Sequence, residues 1–566
     1  MPKVHAEGPS TTGVWLSRPV RNVNLRATRF SKLSLLYSCF YVANIVLEPL
    51  KAYVGEPVPW SLRHVVLNTS TLLFEDFVNN TFHVLRAKYN NRTLAIGTLF
   101  SRDRDTNTAL IRSRMTLPSN SPTMCDAFVI HFPGSIFYGQ GMVQFVCNFL
   151  AQNTSDQSHA PQFICQHNRV AGLLISESCT WIEALPNSTG TFWVYHAVQI
   201  MENATWSWIK LGLRLGLSCF IAVQVWRLYY CQYRSLVLNL RTMGLSSNDG
   251  GLYEIQIGDP TWLILSHPFV CIVMVVDVVY STSYAAIAGY RVYQVHDMWE
   301  FAIGSFSGSN MVWASYAIMI FSSPIIKRLQ WEKYFVSVDP GMMALMAAFY
   351  AGPLVYFITQ TPIVLLLQEL SQIGVLADDE GQTLDGTGGM VFLLIIFATV
   401  PLITSYLQHC RLRNYFTYGA PDSLPHRSDT RAFASMRYND WKHRGLYPLH
   451  KHLTVKSESG GTLYHLFDVN PRFKKLPLFS CRGTDCFVKC IDSVTGRITH
   501  QYRLSLILAL DIPIVSSQSE NMSTIPTQSR CTTGAVCTFV KPINREMSAD
   551  MKAVLIPAAS NCQWLL

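Results

Sequence analysis

Two oppositely charged residues in apolar surroundings are the strongest chemical signal in this chain: Arg214 within 208–230 and Asp277 within 262–285. A charge held in hydrocarbon costs several kcal/mol, so each needs a partner or a task. Arg214 lies about five residues below the outer end of its stretch, roughly 7–8 Å at 1.5 Å per residue, and Asp277 about eight residues, roughly 12 Å. These depths agree within one helical turn. The expectation is an ion pair between consecutive helices, either a structural staple or part of a substrate or proton path. A single intramembrane carboxylate does not make an aspartyl protease, whose dyad needs two.

Other residues of catalytic type do not assemble into a motif. In Gly304-Ser-Phe-Ser-Gly308 the serine is not central as in a nucleophile elbow. The acidic run 378–385, DDEGQTLD, lacks the alternation of an EF-hand and reads as a solvated loop. Cys481, Cys486 and Cys490 are spaced C-x₄-C-x₃-C with only His500 nearby, which reads as structural or acylated cysteine rather than zinc. His131 and His159 have no nucleophile or metal-ligand partner in the pattern. No catalytic residue, metal or cofactor is therefore expected, and no nucleic-acid partner. The enzyme reading ranks last.

The elements that would position Arg214 and Asp277 follow from composition. Hydrophobic residues make up 49% of the 566 and charged residues 14%, against a usual charged share of roughly 25%. The apolar residues gather in six runs near the length that spans about 30 Å of hydrocarbon. These are Leu33–Leu47 (extended to about residue 50), then 208–230, 262–285, 301–323, 342–367 and 389–409. Arg18, Arg21, Arg26, Arg29 and Lys32 precede the first run, placing the N-terminus inside. That run reads as an uncleaved signal-anchor in preference to a cleaved signal peptide. The expected inner loops carry Arg227, Arg234 and Arg241, then Lys327, Arg328 and Lys333, and the segment 411–456 has nine Lys/Arg against three Asp. The expected outer loop 369–388 holds only acidic charges.

Glycosylation signals give the same orientation by unrelated chemistry. Six of seven Asn-x-Ser/Thr sequons, at Asn68, Asn79, Asn91, Asn153, Asn187 and Asn203, lie between the first two apolar runs; the seventh, Asn521, lies in the tail. The expected fold is a multi-pass α-helical membrane protein with about six transmembrane helices, both termini cytoplasmic, in the secretory pathway and finally the plasma membrane. Its parts are a basic arm (1–31), a signal-anchor (32–50), a glycosylated outer α+β domain (51–206), five further helices (207–410), a small β-rich cytoplasmic module (411–514) and a Ser/Thr-rich tail (515–566). Within the outer domain, STLLFEDFVNNTFHVLRAKY reads as helix, and DAFVIHFPG and TFWVYHAVQI as strands. Its four cysteines, Cys125, Cys147, Cys165 and Cys179, suggest two disulfides with three pairings open.

Gly212-x-x-x-Gly216 and Gly304-x-x-x-Gly308 allow close helix approach, within the protomer or between copies in a homo-oligomer. Pro268, Pro353, Pro362 and Pro401 interrupt the runs, yet no inverted repeat accompanies them. The stretches VDPGMMALMAAFYAGPLV and NPRFKKLPLFSCRGTDCFV, within 255–510, resemble polytopic membrane proteins of oomycete type. The resemblance implies the same layout and supplies no activity. With soluble mass on both sides of the bilayer, the expected function is a receptor-like or scaffolding surface protein binding an extracellular ligand or protein. The alternative is a transporter or channel using a polar site between helices.

Overall fold

The computed structural model describes residues 26–62, 74–90, 99–121, 125–185, 190–242, 252–295, 297–329, 340–361 and 383–417, with short pieces at 93–94, 331, 338, 363, 484, 486–496, 498–504, 531–536 and 555–557. The chain starts with β1 (Thr28–Phe30) and α1 (Lys32–Val46), then bends by 68° into a 3-10 helix, Glu48–Val54, that begins with Pro49 at its second position. Next come α2 (Phe74–Lys88), β2 (Phe100–Asp103), β3 (Thr108–Thr116), α3 (Cys125–Val129), α4 (Gln140–Ala151), α5 (Thr154–His159), β4 (Gln162–Val170), β5 (Leu173–Ala184) and β6 (Thr191–Ile200). A long helix follows, α6 (Ala204–Val225), continued through a π-helical turn at Trp226–Tyr230 into α7 (Cys231–Thr242). After β7 (Leu252–Gln256) stand α8 (Thr261–Leu265), α9 (Pro268–Tyr280) and α10 (Thr282–Tyr293). The remaining helices are α11 (Met298–Gly308), α12 (Val312–Arg328), α13 (Pro340–Phe349), α14 (Val355–Thr359) and, after β8 (Thr383–Asp385), α15 (Thr387–Thr417). Strands β9 (Cys486–Ile491), β10 (Ile498–Leu504), β11 (Cys531–Val536) and β12 (Leu555–Pro557) close the chain's described part.

Among the described residues, three helical stretches are long and apolar enough to cross a membrane: Ala204–Arg234, Met298–Ile326 and Thr387–Leu407. The number rises to five if each of two bent pairs counts as one span, and Met343–Thr359 is a shorter apolar helix. The chain is thus a mixed α and β protein with helices long and apolar enough to cross a membrane. The third apolar run differs from expectation. It is not one continuous helix: Pro268 starts α9 after a break, and α10 turns 71° away at Ser281. The reason is amphipathicity. Tyr284, Ile287, Tyr290 and Tyr293 of α10 pack on Ala109, Ile111, Val198 and Ile200 of β3 and β6, a protein surface that replaces lipid.

Two six-stranded sheets gather the connections. The first, ordered β2-β3-β6-β5-β4-β8, is antiparallel except that β8 runs parallel to β4. The second, ordered β1-β7-β9-β10-β11-β12, joins the segment before α1, the segment before α8 and the tail. The tail strands therefore do not stand as a separate module; β9 pairs directly with β7. Helix α6 starts three residues after β6, and its continuation α7 packs Tyr233, Leu236 and Leu240 against Tyr253, Ile255, Cys486 and Val488 of the second sheet. About 45 Å of helix, at 1.5 Å per residue, thus separates the two sheets.

The first sheet is covered on both faces. Helix α2 seals one with Phe82 and Leu85 against Trp181 and Tyr195; α3 and α4 seal the other with Val129, Met142, Val146 and Phe149. DAFVIHFPG, expected as a strand, is α3 followed by turns. A short apolar run cannot be told from a buried helix by periodicity alone, and here Cys125 is tied to Cys147 of α4. TFWVYHAVQI is β6, and the expected helix is α2. The second disulfide joins Cys165 and Cys179, directly opposed on β4 and β5.

Gly134 ends the turn after α3 with φ +80°, and a Cβ there would strike the His196 ring of β6. The Gly134→Ala variant has to move either backbone or ring, which costs roughly 1–3 kcal/mol. Thermal unfolding of the full chain should show a melting point lower by several degrees, and an unchanged melting point would refute this packing.

Candidate functional site

The site grows from one face of α6. Lys210 and Arg214 are four residues apart, so both side chains leave the same side of the helix, on the stripe that also buries Leu217, Ser218 and Ile221. Arg214 uses every guanidinium nitrogen. Its Nε donates to Asp277 Oδ1 at 2.9 Å and its Nη2 to Asp277 Oδ2 at 3.1 Å. Its Nη1 and Nη2 also reach Glu56 Oε2 at 2.7 Å and Glu56 Oε1 at 2.9 Å, and Nη2 reaches Ser281 Oγ at 3.1 Å. The guanidinium lies 4.8 Å from the Tyr53 ring centroid. Arg214 and Glu56 are 2% and 3% exposed, so this is a dry fork-to-fork pair of the strong, charge-assisted kind.

Lys210 extends the network toward the first sheet. Its Nζ donates to Glu56 Oε2 at 3.1 Å and Glu202 Oε2 at 2.8 Å. Tyr284 of α10 donates to the same Glu202 oxygen at 2.7 Å, Asn107 Nδ2 donates to Tyr284 Oη at 2.9 Å, and Arg102 Nη2 of β2 donates to Asn107 Oδ1 at 2.7 Å. Two cations thus meet three carboxylates, drawn from the segment after α1, the segment before α6, and the last turn of α9. Such a set joins four elements and engages every nitrogen of Arg214.

Of the expected site residues, the structure brings Arg214 and Asp277 together, and Cys125 with Cys147 and Cys165 with Cys179. Asn79, Asn153 and Asn203 are exposed, the last accepting from Trp206 N as the cap of α6; Asn68, Asn91, Asn187 and Asn521 lie outside the described residues. Gly304 and Gly308 face close neighbours in α10 and at Ala351. Among the described residues, a Cβ at Gly212 or Gly216 would meet nothing within 4 Å, so of the two pairs only Gly304 and Gly308 pack closely inside the protomer. Cys486 and Cys490 point into the core of the second sheet, while Cys481 is outside the described residues. Among the described residues, no group of three His, Cys, Asp or Glu could hold a metal.

Sequence reasoning missed Glu56, Lys210 and Glu202. The signals were present: Lys210 is one turn before Arg214, and Glu56 sits in EPVP directly after the first apolar run. A second buried set lies within the first sheet. Thr180 Oγ1 and His196 Nδ1 are 2.9 Å apart, and His196 Nε2 and Tyr290 Oη 3.1 Å apart, linking β5 and β6 to α10. Burial pushes His196 down to about 3, so it stays neutral. On the opposite face, His167 of β4 and Glu177 of β5 are paired in register, with His167 Nδ1 3.6 Å from Glu177 Oε1. Compared with known proteins, the chain matches no family model, no curated protein and no solved structure.

Two outcomes follow from these groups. In Asp277→Asn the buried Arg214 loses one of its two carboxylate partners, which should cost roughly 3–5 kcal/mol and lower the detergent-solubilised melting point and surface level together. Retention of both would show the pair to be dispensable. Burial raises the Glu177 carboxyl from 4.5 to about 7. The folded chain therefore holds a proton there that the unfolded chain releases, so Glu177's contribution is full below about pH 4.5 and is lost as pH rises through about 7. Burial and Arg169 lower His167, whose contribution runs the opposite way. Comparing wild type with Glu177→Gln isolates the carboxyl. The variant should gain about 3 kcal/mol relative to wild type between pH 4.5 and 7.5, whereas a constant difference across pH would rule the buried acid out.

Proposed function

We propose that this chain is a receptor-like or scaffolding protein of the cell surface whose outer α+β domain is clamped to its membrane helices. In this reading it crosses the bilayer six times with both ends cytoplasmic. The observation that carries the reading is the saturation of Arg214. Its nitrogens are all spent on Glu56, Asp277 and Ser281, so the intramembrane charges hold elements together instead of lining a path. A transport site needs polar groups whose partners can be exchanged for substrate.

The two sheets support the alternating topology. β8, from the acidic loop before α15, pairs with β4 among the sequons, while β1, β7 and the basic tail's strands share the other sheet. Exposed Trp60 and Trp208, 6.2 Å apart between ring centroids, suit the headgroup layer at the outer end of α6. One observation favours the transporter reading. π-helical turns interrupt two apolar helices, at Trp226–Tyr230 and Tyr350–Leu354, and such turns recur at functional sites.

Glycosidase mapping tests the orientation. Enzymatic deglycosylation should shift the full chain's mobility. The shift should vanish when the six sequons Asn68 to Asn203 are removed and persist in Asn521→Gln. A shift traced to Asn521 would invert the topology. Solute flux in proteoliposomes that disappears in Asp277→Asn, with the protein still folded, would replace the receptor reading by the transporter one.

A further inference from the structure

The first sheet hands two of its strands to apolar helices at the same end. β6 is followed by α6 after three residues, and β8 by α15 after one. Between β6 and β8 in the sheet lie β5 and β4, in the order β6-β5-β4-β8. β4 runs parallel to β8, and β5 runs antiparallel to both β4 and β6. The turn from β4 to β5 therefore points the same way as the starts of α6 and α15 and sits between them. Register fixes its reach. Ser176 is opposite Ile200, the last residue of β6, so Leu173 lies three residues further on, roughly 10 Å at about 3.3 Å per residue. On the other side Arg169 is opposite Asp385, and Ala171 N donates to Oγ1 of Thr387, the first residue of α15. The apolar stretch Thr387–Leu407 has 21 residues. At 1.5 Å per residue that is about 31 Å, the thickness of the hydrocarbon layer, so a crossing α15 leaves Thr387 at the edge of that layer.

The composition of the turn agrees with its place. Ala171 and Gly172 have φ of +51° and +76°, and hairpins that face water make such turns with Asn-Gly or Asp-Gly. Here the run is Val170-Ala171-Gly172-Leu173-Leu174-Ile175, without one polar side chain. Ala171, Gly172 and Leu173 are exposed, Leu173 at 58%. Other turns of this sheet are polar. Arg104-Asp105-Thr106-Asn107 joins β2 to β3 at the same end, but stays close to the level of Ile200, whose N–H donates to Asn107 O. At the opposite end, the link 185–190 between β5 and β6 carries the Asn187 sequon. A lone exposed leucine needs no explanation; a wholly apolar turn between two helix entries does. We propose that the β4–β5 turn is a membrane-contacting finger, with Leu173 seated among the nearest acyl chains between α6 and α15. Its partner is the lipid itself, and the bilayer thereby holds the sheet at a third point. The inference rests on α6 and α15 crossing the bilayer, as in the reading above, but not on which side the sheet occupies.

The test uses the full chain in phosphatidylcholine nanodiscs, with the photo-crosslinker p-benzoylphenylalanine in place of Leu173 and adducts read by mass spectrometry. Two positions serve as references: Leu213, 60% exposed on α6, and Ser158, exposed in α5 beside the start of β4 at the far end of the sheet. Lipid adducts at 173 should approach those at 213 and exceed those at 158 by roughly tenfold. Should the bulky probe disturb the turn, Leu173→Cys gives the same answer with a smaller change. A water-soluble maleimide, followed peptide by peptide, should label it roughly tenfold more slowly than Ser158→Cys. Adducts at 173 no greater than at 158 while 213 reacts, adducts to protein in place of lipid, or equal labelling rates overturn the finger. No lipid adduct at 213 either would overturn the crossing of α6, a failure distinct from that of the turn alone. Neither result depends on the glycosidase mapping, which reports the side and not the contact.

Discussion

A fixed positive charge cannot be left alone among apolar helices, and the region around α6 is arranged to satisfy that constraint at Arg214. Guanidinium does not give up its proton in proteins, so neutralisation has to come from neighbours. Asp277 supplies one side from α9 and Glu56 the other from the chain just beyond α1. Meeting that demand fixes three backbones against each other. It also explains the bend after α1: the 68° turn at Pro49 and the short EPVP segment deliver a carboxylate to a depth that a straight exit into solvent would miss.

From this point the first sheet inherits its placement. Lys210 carries the pairing one turn along α6 to Glu202, and Glu202 accepts from Tyr284 of α10. α10 in turn lies on the first sheet through a row of tyrosines and isoleucine. Polar and apolar contacts therefore run side by side from the bundle into the sheet. A domain joined in this way moves with its helices, unlike one joined by a linker.

Much of this was legible in the sequence, and the limits have physical causes. The pairing of Arg214 with Asp277 could be read because rules of length and charge act on a local window of apolar sequence. Glu56 could not, since its role depends on a bend that brings it back after leaving the first run. DAFVIHFPG misled because β-branched and aromatic residues suit a buried surface in either conformation, and here the run starts as α3, with Cys125 bonded to Cys147 of α4. The third run misled for another reason: it breaks before Pro268 and bends at Ser281, where α10 turns away to lay its apolar face on a sheet.

The strand order β1-β7-β9 has a bearing on how the chain is made. β7 lies between a strand about 220 residues before it and one about 230 residues after it. Until β9 arrives, β7 has one unpaired edge, and such edges invite pairing with foreign strands. The second sheet is thus set late: a chain broken off between Gln256 and Cys486 leaves that edge of β7 open, an incomplete product marked by its own structure.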